Sequence, residues 1–170
     1  MAKGKLTGVG VGPGDPELLT LKAVRILREA DVVAVPDKGT GDRTAMAIVA
    51  EHIKGKTILP CVTPMVRDRA ALAQAHGAIA DRLCALLDEG KQTAFITLGD
   101  PSIYSTYLYI HRLVLERGYE AELVPGIPSF CAAAARLNMG LCEGSERLLI
   151  VPASHKNVSD CLATDANLVF

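Results

Sequence analysis

Gly8, Gly10, Gly12 and Gly14 occupy alternate positions in Gly8-Val-Gly-Val-Gly-Pro-Gly-Asp-Pro16, directly ahead of an apolar-periodic run made by Leu19, Ala23, Ile26, Leu27 and Ala30. Glycine admits positive φ and lets a ligand lie against the main chain without meeting a Cβ, so this loop is a candidate small-molecule site. Pro13 and Pro16 stiffen it, and Asp15 stands where an N-cap belongs, with Pro16 at the first helical position. Two nucleotide-binding fingerprints can be checked against the spacing. A G-x-G-x-x-G that starts at Gly8 or Gly10 needs glycine where Pro13 or Asp15 stands, so a hydride-transferring dehydrogenase loses support. Gly55-Lys56-Thr57 imitates the end of a P-loop, but Ala50 fills the place of the leading glycine and the tripeptide precedes a strand.

The elements that must carry this loop can be read from periodicity. Residues 5 to 36 form a strand, loop, helix, strand unit that ends on Asp31-Val-Val-Ala-Val-Pro36. Thr44 to Ile53 has helical spacing, Thr57 to Leu59 is a short strand, and Cys61 to Arg67 reads as a loop without a period. Leu72, Ile79, Leu83 and Leu86 mark one face of a long helix that stops at Gly90. Thr93 to Leu98 is a strand, followed by Gly99-Asp-Pro-Ser102 and a helix from Ile103 to Arg117. Glu120 to Val124 is another strand, followed by Pro125-Gly-Ile-Pro-Ser129 and an alanine-rich helix from Phe130 to Leu137, with Ser129 as its N-cap. Asn138 to Glu146 connects to a strand at Leu148 to Val151, Asn157 to Ala166 has a weak helical tendency, and Leu168 to Phe170 opens a further strand. One glycine loop between strand and helix could be only a tight turn. Three such loops, at Gly10 to Asp15, Gly99 to Ser102 and Pro125 to Ser129, fall at the carboxyl ends of strands, the edge at which open α/β sheets bind ligands.

Composition narrows the classes. With 170 residues, 49% hydrophobic and 22% charged, the chain can bury a real core. A formal net charge of -1 with no long basic run argues against a nucleic-acid surface. No stretch reaches the length of a membrane span and Met1 to Lys5 leads into a strand, so the expected location is cytoplasmic. Cys61, Cys84, Cys131, Cys142 and Cys161 are odd in number and lack a C-x-x-C, which fits reduced thiols. His52, His76, His111 and His155 are scattered with no H-E-x-x-H, so no metal is assigned.

Val9 to Ala23, Gly99-Asp-Pro-Ser-Ile-Tyr104 and Val124-Pro-Gly-Ile-Pro-Ser129 together resemble the tetrapyrrole (corrin and porphyrin) methylases, in order and separation, over nearly the whole chain. Gly99 to Tyr107 and Ala30 to Pro36 bring it nearest to the precorrin-2 and cobalt-factor II C(20)-methyltransferases. The resemblance implies a tetrapyrrole methylase fold of two α/β domains with the cofactor in the cleft between them. Here that means an N-terminal domain over residues 1–124, a connecting loop and helix over 125–145, and the start of an incomplete C-terminal domain over 146–170. It implies S-adenosylmethionine as donor, S-adenosylhomocysteine as product, and Pro13, Leu98, Gly99, Asp100, Ile103, Pro128 and Ser129 as the cofactor-binding residues. Many relatives carry Thr where Pro128 stands, which removes a hydroxyl contact there. It further implies precorrin-2 or cobalt-factor II as tetrapyrrole substrate, methylation at C-20 in cobalamin biosynthesis, and a homodimer when the chain is full length.

In such a reaction an electron-rich meso carbon attacks the sulfonium methyl, so the protein's task is positioning, and the sequence offers no His-Asp pair as a base. Because the substrate is a polycarboxylate, Lys38, Arg43, Arg67 and Arg69 are candidate carboxylate contacts, against the alternative of solvated surface charge beside Asp37, Asp42 and Asp68. Two competing readings stay open. One is a superfamily member acting on a different corrin carbon or another substrate, and the other is a non-catalytic cofactor- or tetrapyrrole-binding fragment.

Overall fold

A computed structural model describes residues 2–37, 44–64, 66, 68–152 and 165–169. The chain divides into two compact units, Met1–Ile127 and Pro128–Phe170.

The first unit contains β1 (Leu6–Gly10), α1 (Leu21–Glu29), β2 (Val32–Asp37), α2 (Thr44–Val49), β3 (Thr57–Val62), α3 (Arg69–Asp88), β4 (Thr93–Thr97), α4 (Tyr107–Glu116) and β5 (Ala121–Val124). The five strands form one parallel sheet in the order β3-β2-β4-β1-β5. The chain moves toward one edge from β1 to β2 to β3, then back toward the other from β3 to β4 to β5. Right-handed crossovers therefore place α1 and α2 on one face and α3 and α4 on the opposite one. The two cores obey that division. Val9, Val33, Val35, Ala94 and Ile96 meet Ala23 and Leu27 of α1 and Ile48 and Val49 of α2. Leu6, Ala34 and Phe95 meet Ile79, Leu83 and Leu87 of α3 and Tyr107, Ile110 and Val114 of α4. Within β2 and β4 consecutive residues go to opposite cores, as the two-residue period of a strand requires.

Local chemistry sets most of the boundaries, and it departs from the sequence reading in several places. Asp15 does cap Pro16, but the capped element is a single 3-10 turn, Pro16–Leu18, and Thr20 caps α1 itself through an Oγ1 that accepts from Ala23 N at 3.1 Å. β3 runs on to Val62, past the expected end at Leu59. It tolerates Pro60 because it is an edge strand, with a free side that needs no N–H. In α3 the buried face uses Cys84 and Leu87 beside Ile79 and Leu83, while Leu86 is only half-buried. Gly90 ends the helix with φ 80°, as a C′ glycine should. The largest difference is α4, expected from Ile103 and found to begin at Tyr107. Tyr104 has φ 48°, which is incompatible with a right-handed helix.

In the second unit α5 (Ser129–Arg136) is followed by β6 (Leu148–Ile150) and β7 (Asn167–Val169), which pair in parallel. Pro128, with ψ 151°, occupies the N-cap position expected for Ser129, and Ser129 is the first helical residue; no side chain caps this end. Of the helical tendency read over 157–166, residues 157–164 lie outside the described residues, as do Lys38, Arg43 and Arg67, and Asp165 and Ala166 are not helical.

Candidate functional site

β4, β1 and β5 are neighbours in the sheet, so the loops that leave their carboxyl ends stand side by side. They are also bonded to one another. Gly12 and Gly99 form an isolated antiparallel bridge, with Gly12 N donating to Gly99 O at 3.2 Å and Gly99 N to Gly12 O at 2.8 Å. Both residues have positive φ, 77° and 64°, which explains why glycine is required at each. Asp100 fastens the third loop. Its Oδ2 accepts from Gly126 N at 2.9 Å, while Oδ1 accepts from Ser102 N at 2.7 Å and from Ser102 Oγ. The side chain is 9% exposed, and its carboxylate is committed to joining the β4 and β5 loops.

The glycine-rich segment divides by role. A Cβ on Gly8 would overlap the ring of Tyr107, and one on Gly10 would lie 2.5 Å from Gly126 N and 2.7 Å from Gly99 O. A Cβ on Gly126 would collide with Gly99 O. The space at these three positions is taken by protein. Within the segment, a Cβ on Gly12 would make ordinary contact with Leu18, and one on Gly14 would meet nothing within 4 Å. The permissive loop therefore reduces to Gly12 through Gly14, with Pro13 half-buried between them.

Beside this knot lies a cavity of about 240 Å³ between the carboxyl ends of β2 and β4, bordered by Pro36, Met46, Leu98, Ile103, Tyr104 and Thr106. Leu98 is 41% exposed and Ile103 half-buried, so both present apolar surface there. The segment leading to α4 is pinned by a 3.0 Å hydrogen bond between Thr97 Oγ1 and Ser105 Oγ, and Ser105 Oγ also accepts from Tyr107 N. These bonds on one side and the Asp100 carboxylate on the other hold Tyr104 in its left-handed conformation, which costs on the order of 1 kcal/mol. Tyr107 beneath is fully buried, with its hydroxyl 3.1 Å from His111 Nδ1, and burial pushes its ionisation well above the ordinary range. Burial likewise pushes the Cys61 thiol up to about 12, so it is an inert core group.

Pro13, Leu98, Gly99, Asp100 and Ile103 thus fall in two loops joined by the Gly12–Gly99 bridge. Pro128 and Ser129 lie at the start of α5 in the second unit. Reasoning from sequence missed Tyr104, Thr106 and Met46 as cavity residues. The Tyr104 conformation has no signature in composition or spacing, and Met46 reaches the cavity only because β2 lies next to β4. Arg69, a candidate for carboxylate contact, is the first residue of α3 and exposed.

The family model for tetrapyrrole (corrin/porphyrin) methylases matches residues 5–170. A Methanocaldococcus jannaschii protein named "Probable cobalt-precorrin-2 C(20)-methyltransferase" is 42% identical over 149 residues, 87% of this chain and 64% of that protein. The cobalt-precorrin-2 C(20)-methyltransferase of Salmonella typhimurium is 35% identical over 150 residues, 87% of this chain and 63% of that one. Among solved structures, a cobalamin synthesis related protein (CobF) from Corynebacterium diphtheriae superimposes with a TM-score of 0.80 at 26% identity, covering 98% of this chain and 71% of that one. The chain thus spans just under two thirds of the length of these two curated relatives.

Proposed function

We propose, for a chain that belongs to the tetrapyrrole (corrin/porphyrin) methylases, that it serves S-adenosylmethionine-dependent methylation of precorrin-2 or cobalt-factor II at C-20 in cobalamin biosynthesis. The joining of the β1, β4 and β5 loops through the Gly12–Gly99 bridge and the Asp100 carboxylate carries this reading. It builds a rigid edge of main-chain polar groups next to the exposed apolar side chains of Leu98 and Ile103, surfaces that suit the ribose and the flat adenine of the donor. When bound, S-adenosylmethionine supplies an electrophilic sulfonium methyl. Pro13, Leu98, Gly99 and Ile103 would hold it by backbone and apolar contact. Asp100, whose carboxylate oxygens already accept from Gly126 and Ser102, would act by fixing the loop. Pro128 and Ser129 join the proposed set on the family motif alone.

The cavity beside Tyr104 is the proposed seat of the macrocycle edge. Among the described residues its border carries one carboxylate, Asp37, and no histidine. The chain's contribution is then to hold two molecules in attack geometry and exclude water, which by itself lowers a barrier by several kcal/mol.

The same reading makes the protein cytoplasmic and a homodimer in its full-length form. Exposed free thiols at Cys131 and Cys142 suit a reducing compartment, and no helix among the described residues is long and apolar enough to cross a membrane. The dimer rests on the family resemblance.

Labelled methyl transfer tests the function, with precorrin-2, cobalt-factor II and later corrin intermediates offered in parallel to the full-length gene product. The expected result is label on one of the first two at C-20. Label appearing only on a later intermediate would contradict the assignment.

A further inference from the structure

A second groove, of about 810 Å³, opens between the loop after β3 and the facing sides of α3 and α4. Thr63, Val66, Arg69, His76, Thr106 and Tyr109 border it, and Thr63 and Thr106 also border the smaller cavity, so the two adjoin. The groove holds an unexplained group. His76 is 7% exposed and its Nε2 is buried with no hydrogen-bond partner. Buried polar atoms in native proteins are almost always paired, and an exception calls for a missing partner. The imidazole lies flat against Tyr109, with centroids 5.2 Å apart and planes 7° from parallel, while Tyr109 is itself 57% exposed. An exposed aromatic ring thus stacks beside an imidazole whose Nε2 is sealed and unpartnered. Burial holds His76 below the ordinary histidine range, so at neutral pH it is an uncharged imidazole able to carry its one N–H on Nε2. At the rim, Arg69 has no ion-pair partner within 4.0 Å among the described residues, and the Asp68 carboxylate beside it caps α3 by accepting from Ala70 N at 2.8 Å.

We propose that this groove receives a carboxylate-bearing side chain of the tetrapyrrole, with Arg69 as its counter-charge and His76 Nε2–H as its hydrogen-bond donor once the Tyr109 ring swings aside. The inference rests on the tetrapyrrole reading above and adds the residues that recognise one arm of the macrocycle. Apolar side chains in its walls, Val66 and Leu72 among them, suit the methylene stem of such an arm. An arm held here would fix the rotation of the macrocycle in the adjoining cavity, and with it which carbon faces the donor.

NMR of the His76 imidazole nitrogens in the full-length protein tests this, with His76→Gln to assign them. The probes are a metal-free isobacteriochlorin bearing acetate and propionate side chains and its fully methyl-esterified counterpart. The free acid should shift the Nε2 resonance and the ester should leave it in place. Arg69→Met and His76→Gln should each raise the KM for the tetrapyrrole about tenfold, while S-adenosylhomocysteine affinity stays unchanged. Arg69 is exposed, so its variant folds independently of the buried site. Binding of the free acid with the Nε2 signal unmoved, or an unchanged KM in both variants, would overturn the proposal. Failure of the parent protein to bind S-adenosylhomocysteine would instead strike the functional reading, because the imidazole signal answers for the groove alone.

Discussion

Asp100 ties together two of the loops that form the candidate site. Its two oxygens join the β4 loop to itself through Ser102 and to the β5 loop through Gly126. Asp100→Ala removes the charged acceptor of the Gly126 and Ser102 donors and should destabilise the protein by about 1–3 kcal/mol in urea titration, with donor affinity falling alongside. Gly126→Ala tests the same junction from the other side. Its Cβ meets backbone that cannot turn away, so a cost of about 1–3 kcal/mol is expected. A second prediction concerns protons. His76 and His111 are both held below the ordinary 6.5, each by burial first and His111 also by the neighbouring Arg112 charge. The unfolded chain then binds more protons than the folded one, so this part of the stability is complete above pH 6.5 and is lost as pH falls through and below it. Carboxylates such as Glu122, lowered chiefly by its hydrogen bond to Lys5, withdraw their share only below 4.5. Melting temperature should therefore fall between about pH 7.5 and 5.5, and less steeply in His76→Gln. A flat profile in the parent protein would contradict this. Sequence showed which residue types gather at the loops, but it did not show that Asp100 accepts from the main chain of Gly126, a residue 26 positions away. That contact exists only because β4, β1 and β5 are adjacent.

At the scale of elements, the strands and their loops were legible because apolar runs of strand length are bounded by Gly, Pro and Asp. The starts of helices were less so. Thr20 rather than Asp15 opens α1, because the Pro16–Leu18 turn intervenes, and α4 begins after a left-handed residue. Thr20→Ala should lose about 1 kcal/mol, since it removes the bond to Ala23 N. Gly77 in the middle of α3 supplies a contrast. A Cβ there meets nothing within 4 Å and its φ is ordinary, so Gly77→Ala should stabilise the protein by about 0.5–1 kcal/mol. Thermal melts of the two variants would move in opposite directions. The burial of Leu87 in place of Leu86 belongs to the same scale. Both fit a helical stripe, and only the packing of α3 on α4 and the sheet decides between neighbours.

For the whole molecule, strand order explains why three loops far apart in sequence become one edge. β1 lies between β4 and β5, so the glycine loop is flanked by Gly99 on one side and Gly126 on the other. Alternation of strand and helix fixes a parallel sheet with helices on both faces, and the right-handed rule then fixes which helix lies where. The order of strands within the sheet is not written in any local pattern, and the cavities beside Tyr104 and His76 depend on it. We propose that this edge binds S-adenosylmethionine. Calorimetric titration of S-adenosylhomocysteine into the full-length gene product and into the 170-residue chain tests it most directly. Saturable binding to the full-length protein, weakened in Asp100→Ala beyond what its lost stability explains, is the predicted result. A well-folded full-length protein that gives no heat of binding would contradict the account.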